Sequence, residues 1–213
     1  MANGTLGQSA LAANTDTTVY KSGTETVTYT VTVAGGKFVI DGVSQDTLTL
    51  REGSTYTFDQ SDATNATHPL RLSATADGTH GGGTEYTTGV TTNGTAGSSG
   101  AYTRIVVATG APTLYYYCSA HAAMGGTANT AANTVTSSTV NVSLMNKGAS
   151  PAAVRLAVAA SGTPSTSEFL EYDTVLGVGD VLERTGIVIT ADKNVVARSN
   201  VADVAVNIYG YEA

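Results

Sequence analysis

The chain has one cysteine, no tryptophan, four prolines and only 13% charged residues in 213 positions. A single cysteine forms no internal disulfide, so core packing, assembly or a metal must supply the stability that covalent staples give small secreted domains. Ten Lys and Arg stand against seventeen Asp and Glu, and the net charge of −7 is spread as −4 over residues 24–128 and −3 over the remainder. That balance leaves no basic face for nucleic acid or for an anionic membrane. No apolar run is long enough to span a bilayer, and the opening Met1-Ala2-Asn3-Gly4-Thr5-Leu6-Gly7-Gln8 lacks the basic segment of a secretory leader. The expectation is a protein outside membranes and not exported by that route.

Thr, Val, Ala, Ser and Asn dominate what is present, with 24 glycines among them. This composition suits strands joined by tight turns and predicts an all-β chain with almost no helix. From Glu25 the pattern alternates, with Val27, Tyr29, Val31 and Val33 on one face and threonines on the other, the period of a half-buried strand. Further strands are expected over 37–42, 47–50, 55–59, 69–72, 101–108 and 113–118, making a small antiparallel sandwich. Residues 77–100 form a long Gly/Thr/Ser loop, either a binding surface or poorly ordered. Residues 127–138 are low in complexity and are expected to be a linker. The remainder, residues 139–213, is again β-patterned and holds neither histidine nor cysteine. The first twenty residues end in one short extended segment, Thr17-Thr18-Val19-Tyr20.

The most specific chemistry lies in Tyr117-Cys118-Ser119-Ala120-His121-Ala122-Ala123-Met124. A thiolate, an imidazole three residues on and a thioether six residues on, joined by His68, make the His₂Cys set with a weak axial Met that suits mononuclear copper. The metal candidates are therefore His68, Cys118, His121 and Met124. The alternative is a satisfied polar cluster, or adventitious Zn²⁺ or Cu⁺. His80, flanked by glycines, reads as an exposed loop residue. Glu168, Glu171, Asp173, Glu183 and Arg184 are expected at strand ends as solvated or paired charges. No nucleophile or histidine accompanies them, so no catalytic residues are assigned and no enzyme is expected.

Residues 24–126 resemble the cupredoxin fold, with Asn65-Ala66-Thr67-His68-Pro69 in the place of the first copper histidine and Cys118 to Met124 matching the short amicyanin-type loop. Pro69 stands where cupredoxins commonly have asparagine. The ends resemble virion structural proteins of marine tailed bacteriophages, especially those of cyanobacterial hosts. The matching stretches include Met1 to Ser9, Thr17 to Tyr20, Asn146-Lys147-Gly148, Val154-Arg155-Leu156-Ala157, Val181 to Gly186 and Asn207 to Glu212. A module like Phe58 to Asp62, His68 to Arg71 and Asp77 to Tyr86 is similar to one carried within other marine phage structural proteins. The resemblance implies a cupredoxin-like Greek-key sandwich, residues 24–130, inserted into an outer discontinuous β-sandwich of residues 1–23 and 131–213.

What this implies for function is a capsid decoration or cement protein on the virion surface, assembled in the host cytoplasm. It would contact the major capsid protein or other virion subunits, most simply as a homotrimer, with copper as the one conceivable cofactor and a host surface glycan as a conceivable ligand. A tail, neck or fibre-associated virion protein is the alternative within the class. A blue-copper electron carrier is the rival from another class. A carbohydrate-binding module using Tyr86, Tyr102 and the 77–100 loop is the third reading.

Overall fold

The alternation of branched and aromatic residues with threonine and serine resolves into eighteen strands in the computed structural model, which describes residues 3–213. Among the described residues there is no α-helix, only single 3-10 turns at Ala63–Asn65 and Thr166–Glu168. The chain divides into two compact units, one contiguous over Thr24–Asn133 and one made of the segment ending at Gly23 together with Thr134–Ala213.

The first segment of the outer unit supplies β1 (Asn3–Ala10) and β2 (Thr17–Lys21). The inserted unit holds β3 (Thr26–Ala34), β4 (Lys37–Ile40), β5 (Val43–Ser44), β6 (Leu48–Arg51) and β7 (Thr55–Asp59). It continues with β8 (Leu70–Ser73), β9 (Val90–Asn93), β10 (Tyr102–Val106), β11 (Leu114–Cys118) and β12 (Gly126–Ala131). The outer unit resumes with β13 (Ser137–Asn146), β14 (Ala152–Ala159), β15 (Phe169–Leu176), β16 (Val181–Thr190), β17 (Asn194–Ser199) and β18 (Val204–Glu212).

In the outer unit the sheets run β1-β18-β13-β16 and β15-β14-β17-β2, so the segment before Gly23 gives each sheet an edge strand. Val140, Val142, Leu144, Leu156, Val195, Val206 and Ile208 fill the space between them at 0–1% exposure. The places where the chain leaves and re-enters are tied together. Ser22 Oγ lies 2.6 Å from Ser138 Oγ, Tyr20 Oη donates to Glu212 Oε1 at 2.7 Å, and the Gly23 amide donates to the same carboxylate oxygen at 3.0 Å.

In the inserted unit the sheets run β5-β4-β3-β7-β10-β9 and β6-β12-β11-β8 around a core that includes Phe38, Ile40, Leu50, Phe58, Leu72, Ile105 and Tyr116. The unit is mixed rather than antiparallel, because β3 pairs with β7 and β6 with β12 in parallel. The expected linker begins with a strand: Ala128 pairs with Leu48 and Ala131 with Arg51, which carries the inserted unit past residue 130 to Asn133. The expected loop over 77–100 contains β9 and is anchored where the Tyr86 amide donates to the Leu72 carbonyl at 2.7 Å. Tyr86 is packed partly buried against the core, so it does not form the open platform that the carbohydrate reading requires.

Candidate metal centre

Strand pairing delivers the donors. β11 runs antiparallel to β8 with Cys118 opposite Leu70, and the Ser119 amide donates to the Pro69 carbonyl at 3.0 Å just beyond the last pair. The end of β11 and the start of β8 are therefore locked in register, which places the Cys118 loop beside His68. The alternation of β11 turns Tyr116 and Cys118 into the core, where both are fully buried.

Cys118 Sγ lies 3.9 Å from His68 Nδ1 and 3.8 Å from His121 Nδ1. The three donor atoms fall within 4.8 Å of one another, and this is the cluster of metal-binding side chains found among the described residues. A metal about 2.0 Å from each nitrogen and about 2.3 Å from the sulfur, with ligands spread about 120° apart, sets nitrogen and sulfur about 3.7 Å apart. The residues fit such an ion. The imidazole rings approach to 4.7 Å between centroids at a 52° tilt. His68 is half-buried and His121 exposed, so the site opens to solvent on the His121 side. Burial, and then the neighbouring His121, hold the His68 imidazole below its ordinary value, which favours the neutral form a metal needs. Met124 sits at 2% exposure in the same core cluster as Cys118, and its carbonyl accepts from the Phe38 amide at 2.9 Å.

The ligand loop is held from several sides by groups that spacing in the sequence did not reveal. Asp77 Oδ1 accepts from the Ala123 amide at 2.8 Å, while Lys37 Nζ donates to the Ala123 carbonyl and Gln45 Nε2 to the Gly125 carbonyl, both at 2.5 Å. His80 is not in the donor cluster; its Nε2 lies 3.0 Å from the Cys118 carbonyl. Glycine is required at 125, where a Cβ would fall 1.7 Å from the Tyr116 carbonyl oxygen. Three non-glycine residues adopt left-handed backbone here, Thr67 (φ 67°) immediately before His68, Asp77 (φ 58°), and Ala123 (φ 60°) immediately before Met124. Such conformations persist where surrounding contacts enforce them and cluster at functional sites.

The outer unit's charged candidates form pairs and caps. Arg155 grips Asp173 through two hydrogen bonds of 2.7 and 3.0 Å, Arg184 pairs with Glu171, and Glu168 accepts from the Ser165 and Ala160 amides. No protein-family model, curated protein or solved structure matches the chain.

Proposed function

We propose that this chain is a structural component of a tailed-bacteriophage virion, a capsid decoration or cement protein. Its outer β-sandwich docks on the major capsid protein as part of a homotrimer, and its inserted unit is a cupredoxin-like domain that holds one copper ion. The observation that carries the docking half is the exposed face of the β1-β18-β13-β16 sheet. Met145 (41% exposed) stands between Ala205 and Val181, and Thr139 stands between Tyr211 (54%) and Val188 (69%). Between those rows lie Asn207, Ser143, Tyr209 and Asn141, and Glu183 is the one charge on this face among the described residues of β13, β16 and β18. A chain of net charge −7 repels acidic neighbours, and a wide face with tyrosine, methionine and almost no charge has the composition of a protein interface core. The choice of a capsid subunit as the partner rests on the resemblance of the chain ends to marine phage structural proteins.

The copper half rests on the donor set. His68, Cys118 and His121, with Met124 as a further candidate, would hold the ion, and copper bound there would supply one-electron redox capacity. A second reading, a blue-copper electron carrier, is favoured by one observation, the exposure of His121 at the rim of the site.

Cosedimentation of the purified chain with particles of the phage that encodes it tests the docking. Saturable binding at a fixed copy number is expected, and binding that never saturates or is absent overturns it.

A further inference from the structure

β8 is the edge strand of its sheet, so one side of the His68-Pro69-Leu70 tripeptide faces β11 and the other has no strand beside it. On the β11 side the only link at Pro69 is its carbonyl, which accepts from Ser119, because proline has no N–H to give. On the open side stands Gln60, the residue just after β7, which is 2% exposed. Its Nε2 donates to the His68 carbonyl at 3.1 Å, and its Oε1 accepts from the Leu70 amide at 3.2 Å. One side-chain amide thus pairs with the backbone on both sides of the proline, as a neighbouring strand would. Gln60 is itself fixed, since its amide donates to Ala101 at 2.8 Å and its carbonyl accepts from Gly97 at 2.9 Å.

Leu70 is buried in the core and the His68 amide donates to the Asn65 carbonyl at 2.8 Å, so the stretch between them is held at both ends. A cavity of about 240 Å³, bordered by Gln60, Pro69, Arg71, Asn93 and Tyr102, opens on this side of the tripeptide. The residue before His68, Thr67, is held in the left-handed region at φ 67°, a conformation that relaxes when its restraints are removed. We infer that Gln60 is the positioning residue of the metal centre: by clamping the backbone on either side of Pro69 it fixes the His68 imidazole against Cys118 before any ion arrives. This rests on the copper reading above.

The test is copper(II) titration of the full chain and its variants, following affinity and the thiolate-to-copper visible band, with circular dichroism and melting of the metal-free proteins alongside. Groups that orient a ligand change metal affinity by about 10–100-fold. Gln60→Met, similar in size and without either hydrogen bond, is expected to weaken copper binding by about that factor and to shift the band while the β-sheet signal remains. Gln60→Asn keeps an amide but is one methylene too short to pair with both His68 and Leu70, and it serves where Gln60→Met does not fold. Thr103→Val is the control. Thr103 Oγ1 donates to the Leu70 carbonyl at 2.8 Å, so its loss removes a buried bond on the same strand without touching His68. It is expected to lower the melting temperature and leave the band in place. A Gln60 variant that is folded and binds copper with unchanged affinity and band overturns the positioning role alone. An unmodified chain that takes up no copper overturns the metal reading and this inference with it.

Discussion

Cys118 combines full burial with two imidazole nitrogens under 4 Å from its sulfur, so its substitution separates metal chemistry from folding. Cys118→Ser is expected to abolish any blue colour in copper-loaded protein. Placing a hydroxyl in the core costs about 1–3 kcal/mol, so the metal-free variant should stay folded with a melting temperature lowered by several degrees. A variant that keeps the visible band would exclude the thiolate as ligand. The buried tyrosines give a second test. Burial is the main cause that pushes Tyr20 and Tyr56 from 10.0 up to about 12, with Glu212 adding to it for Tyr20 and Glu25 for Tyr56; burial raises Tyr116 further still. The folded chain keeps protons there that the unfolded chain releases. Stability should therefore be unaffected by these groups below about pH 10 and decline from there to about pH 12, by on the order of 2 kcal/mol for each of the first two. Alkaline denaturation followed by tyrosinate absorbance checks this, and a gradual titration of all tyrosines without unfolding would contradict it. Spacing within one short segment made Cys118, His121 and Met124 legible in the sequence. Gln60, Asp77 and Lys37 were not, because the backbone groups they bind lie 8, 46 and 86 residues away.

At the scale of elements, the strands with branched residues on one face were readable, and those without them were not. β3 and β13 announce themselves by alternation, with Val31 in one and Val140, Val142 and Leu144 in the other facing the core. β1 is made of small polar residues, and its place is set by pairing with β18 from the far end of the chain. β12 reads as a linker because Thr, Ala and Asn carry little hydrophobic signal; Ala128 alone among its residues is buried, and parallel pairing with β6 fixes it. β16 runs from Val181 to Thr190 through Gly186, with a register shift opposite Val140 and Val142 that pairing with β13, not alternation, accommodates. The exposed face that β16 shares with β13 and β18 carries the docking proposal. Replacing Val181 and Tyr211 together with Glu adds charge at exposed positions, which changes monomer stability by about 0.5 kcal/mol or less per site. The expected outcome is a folded chain that no longer binds particles or self-associates; undiminished binding would move the interface elsewhere.

For the whole molecule, the decisive feature is that the outer unit is built from both ends of the chain and closes on itself at Tyr20, Ser22, Ser138 and Glu212. Such a unit of about 100 residues is of a size that folds alone. Removing residues 24–133 and joining Gly23 to Thr134 through a short turn should leave a cooperatively melting, particle-binding protein; an aggregated product would show that the inserted unit is needed for the fold. Assembly and metal content together separate a displayed copper domain on a virion component from a free electron carrier. Native mass spectrometry of the purified chain, with and without added copper, reads both in one spectrum. A trimer that takes up one copper per subunit is the expected result, and a monomer holding a single copper would contradict the virion role and favour the electron carrier.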